Sequence, residues 1–181
     1  MAGDEFQNED DVVSVLLHPS VVPVLDLFRS TSELEPAHDL AAMAQAEREL
    51  NRWTSIALAR AIVSDATLLA FSVARERSQP FTYQPPGSRR MSADEQNLIA
   101  LVGAARAWGR RAAIEEAATA LGVAREGASI PAAERLSSRI EQAGLPWPAF
   151  DLVGGPASKP HGGDQPMLLA SADDAAFRFK T

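Results

Sequence analysis

The sequence predicts an all-α fold: a five- to six-helix bundle with a disordered acidic N-terminus and a disordered Pro/Gly-rich C-terminal tail. Three observations lead there. Alanine, the strongest helix former, occurs 33 times in 181 residues. Apolar residues recur at helical spacing through most of the middle of the chain. Start and stop residues punctuate those stretches where helices would begin and end. The expected organisation is a flexible acidic segment over 1–19, a helical domain over 20–150 and a tail over 151–181.

Val12 to Leu17 is a short apolar run, followed by Pro19 and Pro23, so no long helix passes through it. Ser20 is placed to cap a helix over Val21–Arg29, with Pro23 tolerated in its first turn. Val21, Val24, Leu25 and Phe28 then share one face. Pro36 opens a second helix, Pro36–Leu50, with Ala37, Leu40, Ala41, Ala44 and Glu47 along one side. A third is expected over Arg52–Arg77. There Trp53, Ile56, Ala59, Val63 and Ala66 line up, and Ile62, Leu69 and Phe71 widen the apolar arc. Such a wide arc marks a central helix.

Residues 78–91 hold three prolines and a glycine, which exclude helix and leave an extended arm around Phe81 and Tyr83. Ser92-Ala93-Asp94-Glu95 has the spacing of a capping box, in which hydroxyl and carboxylate satisfy each other's backbone amides. The helix that follows runs to about Trp108 and buries Leu98, Ile99, Val102 and Ala105. Gly109 separates it from Arg110–Leu121, and Gly122 suits the left-handed position after a helix. A last helix starts near Ser129-Ile130-Pro131 and ends at Gly144, with Ile130, Ala133, Ser137 and Ile140 in line. From Leu145 onward, five prolines and four glycines fall in 37 residues, too little apolar surface to offset the entropy of ordering.

The formal charge of −7 is unevenly spread. Residues 1–50 carry −9, residues 51–90 carry +4 and the remainder −2. The acidic start is therefore either a solvated tail or a segment docked on the arginine-rich middle. The acidic total disfavours DNA and anionic membranes as partners. Residues 1–11 contain five acids and no base, unlike a secretory signal, and the expected location is cytoplasmic. Fifteen arginines against two lysines, with abundant alanine, point to a GC-rich, bacterial-type source.

Catalytic signatures are sparse. With no cysteine, thiolate zinc sites and cysteine nucleophiles are excluded. His18, His38 and His161 lack second ligands at metal-binding spacing, so no metal is expected. Glu115 and Glu116 are adjacent and diverge on a helix. No Gly-x-Ser-x-Gly element occurs. Gly154-Gly155-Pro156-Ala157-Ser158-Lys159 lacks the glycine before the lysine and the hydroxyl after it that a phosphate loop needs. No cofactor is expected. Residues 110–145 have the outline of a helix-turn-helix, the alternative reading being a DNA-binding transcriptional regulator. Against it, Arg125 to Pro131 makes the turn too long, and Glu134 and Glu141 sit beside Arg135 and Arg139.

Several segments together resemble a family of small, uncharacterised alphaproteobacterial helical proteins. They are the helix from Arg52-Trp53-Thr54 to Asp65, the arm leading into Arg90-Met91-Ser92-Ala93-Asp94-Glu95, then Leu121-Gly122-Val123 and Ala143-Gly144-Leu145-Pro146. The resemblance covers about residues 50–146 in pattern and implies no activity. It does imply the longer linker after Leu-Gly-Val, which weakens the regulator reading.

The leading expectation is thus a non-enzymatic protein-interaction or adaptor domain with an unidentified protein partner. Interface hot spots favour aromatics and arginine, which singles out Phe81, Tyr83, Arg89, Arg90, Trp147 and Phe150 as partner-binding residues. An exposed part of the apolar arc on 52–77 would also allow a homodimer.

Overall fold

A computed structural model describes residues 12–13, 17–31, 36–106 and 111–148, and the fold is all-α. The acidic residues 1–11, the tail 151–181, Phe150, Trp108, Gly109 and Arg110 lie outside the described residues, as do the side chains of Ala37 and His38. The elements are β1 (Val12–Val13), α1 (Val22–Thr31), α2 (Pro36–Leu50), α3 (Ile56–Glu76), β2 (Met91–Ser92), α4 (Ala93–Arg106), α5 (Arg111–Leu121) and α6 (Ser129–Gln142). The two short strands pair antiparallel, Val12 opposite Ser92 and Val13 opposite Met91.

Helix α1 buries the face read from its spacing: Val21, Val24, Leu25 and Phe28 are all inaccessible. Ser20 does not act as the simple cap expected. Its hydroxyl and its amide both donate to His18 Nδ1, at 2.8 and 3.3 Å, so the imidazole organises the turn before α1. Packing also reaches back to Leu17, which is buried in the core.

Helix α2 has the expected ends but not the expected face. Leu40, Ala41 and Ala44 are exposed, and burial runs instead through Met43, Ala46 and Leu50. An alanine-rich helix has several stripes of similar apolarity, and the choice among them falls to the partner, here α1 and α3. Glu47 sits at the edge of the packed side, 3.7 Å from Arg60.

Helix α3 begins later than the spacing alone predicts. The Leu50 carbonyl accepts from the amides of Trp53 and Thr54, at 2.8 and 3.1 Å, closing α2 with a turn. Ser55 then caps α3 by accepting from the Leu58 amide at 3.3 Å. Trp53 therefore stands before the helix, edge-on to His18 with ring centroids 5.3 Å apart. Ala59, Ile62, Val63, Ala66, Leu69, Ala70 and Val73 are buried, whereas Ile56 and Phe71 face solvent. α3 packs on α1, α2 and α6. By length and composition it is also apolar enough to cross a membrane, a test that the core helix of a bundle passes too.

Helix α4 is the more enclosed one. Five consecutive residues, Leu98 to Val102, are buried, because α5, α6 and the β-bridge cover it. α5 ends at Leu121, and Gly122 takes the left-handed conformation expected of it, with φ of 75°. No side chain of its own caps α6. Glu76, at the end of α3, accepts from the Ser129 amide at 3.0 Å and sets a carboxylate at the positive end of α6. A Cβ at residue 127 would overlap that carboxylate, so a larger residue there would have to push Glu76 away from the Ser129 amide. On α6, Ser129, Ala133 and Ser137 form a ridge of small buried residues that lets it settle between α3 and α4.

Candidate interaction surface

The proline-rich arm between α3 and α4 is fixed by carboxylates. The capping box forms as its spacing requires: the Ser92 amide donates to Glu95 Oε2 at 2.9 Å and the Glu95 amide to Ser92 Oγ at 3.1 Å. The same Glu95 is fully buried and meets buried Arg29 of α1 face to face. Arg29 Nε donates to Oε1 at 2.7 Å and Nη2 to Oε2 at 3.2 Å. The remaining donors of Arg29 go to Asp26 at 2.9 Å, to the Ser88 carbonyl at 2.9 Å and to the Arg90 carbonyl at 3.0 Å. All five guanidinium N–H groups therefore have partners. Glu95 Oε1 also accepts from the Gln84 amide at 3.1 Å.

Desolvation opposes the charge on Arg29, but hydrogen bonds and Coulomb attraction from Glu95 and then Asp26 outweigh it, and its pKa is raised above the ordinary arginine value. The guanidinium therefore keeps its charge throughout the accessible pH range. Asp94 accepts from Arg77 Nη1 at 2.9 Å and from the Thr82 amide at 2.8 Å, and Asp26 from the Gly87 amide at 2.9 Å. Asp26, Asp94 and Glu95 are thus committed to holding backbone. Sequence spacing showed the capping box but not Arg29, which lies 66 residues from its partner.

The residues singled out for binding are largely built into this arrangement. Phe81 and Tyr83 stack on each other, with centroids 4.3 Å apart, and pack on the core, while Arg77 lies 4.9 Å over the Phe81 ring. Arg89 donates to the Leu17 carbonyl through Nε at 3.0 Å and again through Nη2, tying the arm to the start of the domain. Arg90 is exposed, and its carbonyl serves Arg29. Trp147 folds back on α4, its indole N–H donating to the Ile99 carbonyl at 3.1 Å. The structure gathers Phe81, Tyr83, Arg89 and Arg90 on the arm but sets Trp147 apart, over α4.

Tyr83 reports this burial directly. Desolvation, reinforced by Glu95 and Asp94 and opposed by Arg77, pushes its phenol up to about 12 from 10.0. It is the chain's single tyrosine, so absorbance at 295 nm follows it alone. Native protein should titrate with a midpoint near 12 and urea-unfolded protein near 10. Because the folded value is the higher one, the neutral phenol stabilises the fold below pH 10, and that contribution fades between pH 10 and 12. A native midpoint at 10 would mean that the ring is solvated.

The α5–α6 pair does not present a basic face. Arg139 and Arg135 reach Asp65 on α3, at 3.3 and 3.9 Å, and Glu134 and Glu141 share the exposed side. Among the described residues, no three His, Asp or Glu side chains gather where a metal ion would be held.

A different surface stands out. The large hydrophobic residues left exposed among the described residues are Leu40, Trp53, Ile56, Leu68 and Phe71, and all belong to α2, α3 or the turn between them. At 100° per residue, Ala57, Arg60, Ser64, Leu68, Phe71 and Arg75 fall on one side of α3, opposite its buried side, and all six are exposed. The spacing predicts Trp53, Ile56 and Phe71 in the core arc, and all three are exposed. The visible signal was the breadth of that arc, wider than neighbouring helices could cover. No family model, curated protein or solved structure matches the chain.

Proposed function

We propose that this chain is a non-catalytic protein-interaction module whose contact surface is the exposed apolar strip of α3, flanked by Trp53 and Leu40. One observation carries the reading: five large hydrophobic side chains, 47–70% exposed, are confined to a single helical hairpin. Large apolar side chains left exposed together on one element mark docking sites. Asp26, Asp94 and Glu95 are occupied with backbone amides and arginines, which fits a module that binds rather than reacts. The arm, with Phe81 and Tyr83, serves as a rigid support and not as the contact itself.

The test is affinity purification of the tagged full chain from its native cells, comparing wild type with Phe71→Asp. Phe71 is half-exposed, so the variant should keep its circular dichroism. Its co-purifying proteins, an untagged copy of the chain included, should be lost. Arg90→Ala should retain them. Identical partner sets for wild type and Phe71→Asp would refute the reading.

A further inference from the structure

We propose that the strip on α3 is occupied by the same strip of a second copy, the two helices running antiparallel about a twofold axis near their midpoint. This rests on the interaction reading above and names its partner. The strip is uneven in size along its length. Apart from Arg60, its first half is small, with Ala57, Ala61 and Ser64, and its second half is bulky, with Leu68 and Phe71. A parallel pair would press bulk on bulk and leave a gap at the small end. An antiparallel pair seats Leu68 and Phe71 of each copy over Ala57, Ala61 and Ser64 of the other, as knobs enter holes. Trp53 and Ile56, exposed beside the small half, then border the incoming Phe71.

Charge selects the same direction. Arg75 is exposed at the far end of the strip. Beside the near end stands Glu47, 31% exposed and held only loosely by Arg60 at 3.7 Å. The antiparallel arrangement brings Arg75 of one copy beside the Arg60–Glu47 pair of the other, twice, so that Glu47 stands between the two arginines. The parallel one sets Arg75 against Arg75 and Arg60 against Arg60. A surface complementary to itself under a twofold rotation is what an isologous dimer requires.

The full chain should sediment at twice its 19.3 kDa mass. Phe71→Asp and Leu68→Asp should each weaken dimerisation roughly 30-fold or more, as loss of a central hot spot does. The absence of cysteine makes direction testable. A mixture of Ala57→Cys and Arg75→Cys chains should cross-link under mild oxidation. Ala57→Cys alone should not, because the two copies of residue 57 would lie about 27 Å apart. Cross-linking of Ala57→Cys to itself would overturn the antiparallel arrangement. A monomer at about 100 μM, well above the Kd of a specific dimer, would overturn the proposal altogether. If the monomer still loses captured proteins on Phe71→Asp, the module reading survives with a different partner. If it loses none, both fall.

Discussion

Glu95→Ala is expected to destabilise the fold by about 3–5 kcal/mol, the usual cost of stranding one half of a buried ion pair. Both side chains are essentially inaccessible, at 1% and 0%, so solvent does not screen the loss. The substitution takes the buried carboxylate from Arg29, leaving it the partly exposed Asp26 and two carbonyls, and also orphans the Gln84 and Ser92 amides. Against a total stability of about 5–15 kcal/mol for a domain, this brings the protein near its unfolding threshold. Urea denaturation monitored by tryptophan fluorescence measures it. Arg29→Met combined with Glu95→Leu should recover part of the loss, because no fully buried charge remains. Recovery stays partial, since the Ser88 and Arg90 carbonyls still lose their donors. A cost for Glu95→Ala below about 1 kcal/mol, the range of an exposed pair, would show that the pair is not buried in solution.

Phe28→Ala should cost a similar amount, about 3–5 kcal/mol, for a different reason. Phe28 is 2% exposed and among the largest buried side chains, on the helix that packs against both α2 and α3. Removing its ring leaves a cavity that three helices cannot jointly close. The dimer contact lies on the opposite, solvent side of α3, so at low temperature the folded fraction should associate as wild type does. Denaturant midpoints measure the first effect and sedimentation the second. Loss of association in protein that remains folded would place Phe28 in the interface.

The helices were legible where local chemistry sets them. The face of α1, the ends of α2, the Ser92–Glu95 box and the turn at Gly122 follow from spacing within a few residues. The face of α2 was not, because Ala37, Ala41, Ala44 and Ala46 offer nearly equal alternatives and Leu40 favours the wrong one. The start of α3 was missed because its apolar pattern continues upstream into Trp53, while Ser55 takes the cap. The ionic lock between Arg29 and Glu95 was not readable at all. Each residue has an ordinary local role, and only the tertiary fold brings them together. The contact surface was half legible: the breadth of the apolar arc on α3 was evident, but which part α1, α2 and α6 leave uncovered depends on packing.

The Arg29–Glu95 pair also orders events in time. It joins residues separated by 66 positions, and closing so long a loop is entropically unfavourable until helices exist to hold its ends. Contacts of α4 with α5 and α6 span much shorter stretches of chain, and local contacts form fast. Contacts of α1 with α2 are just as local, so each half is expected to form its own contacts before the two halves meet. The halves dock afterwards, and the Arg29–Glu95 pair closes as the latch between them. Weakening that latch hastens opening and leaves the speed of the first assembly unchanged.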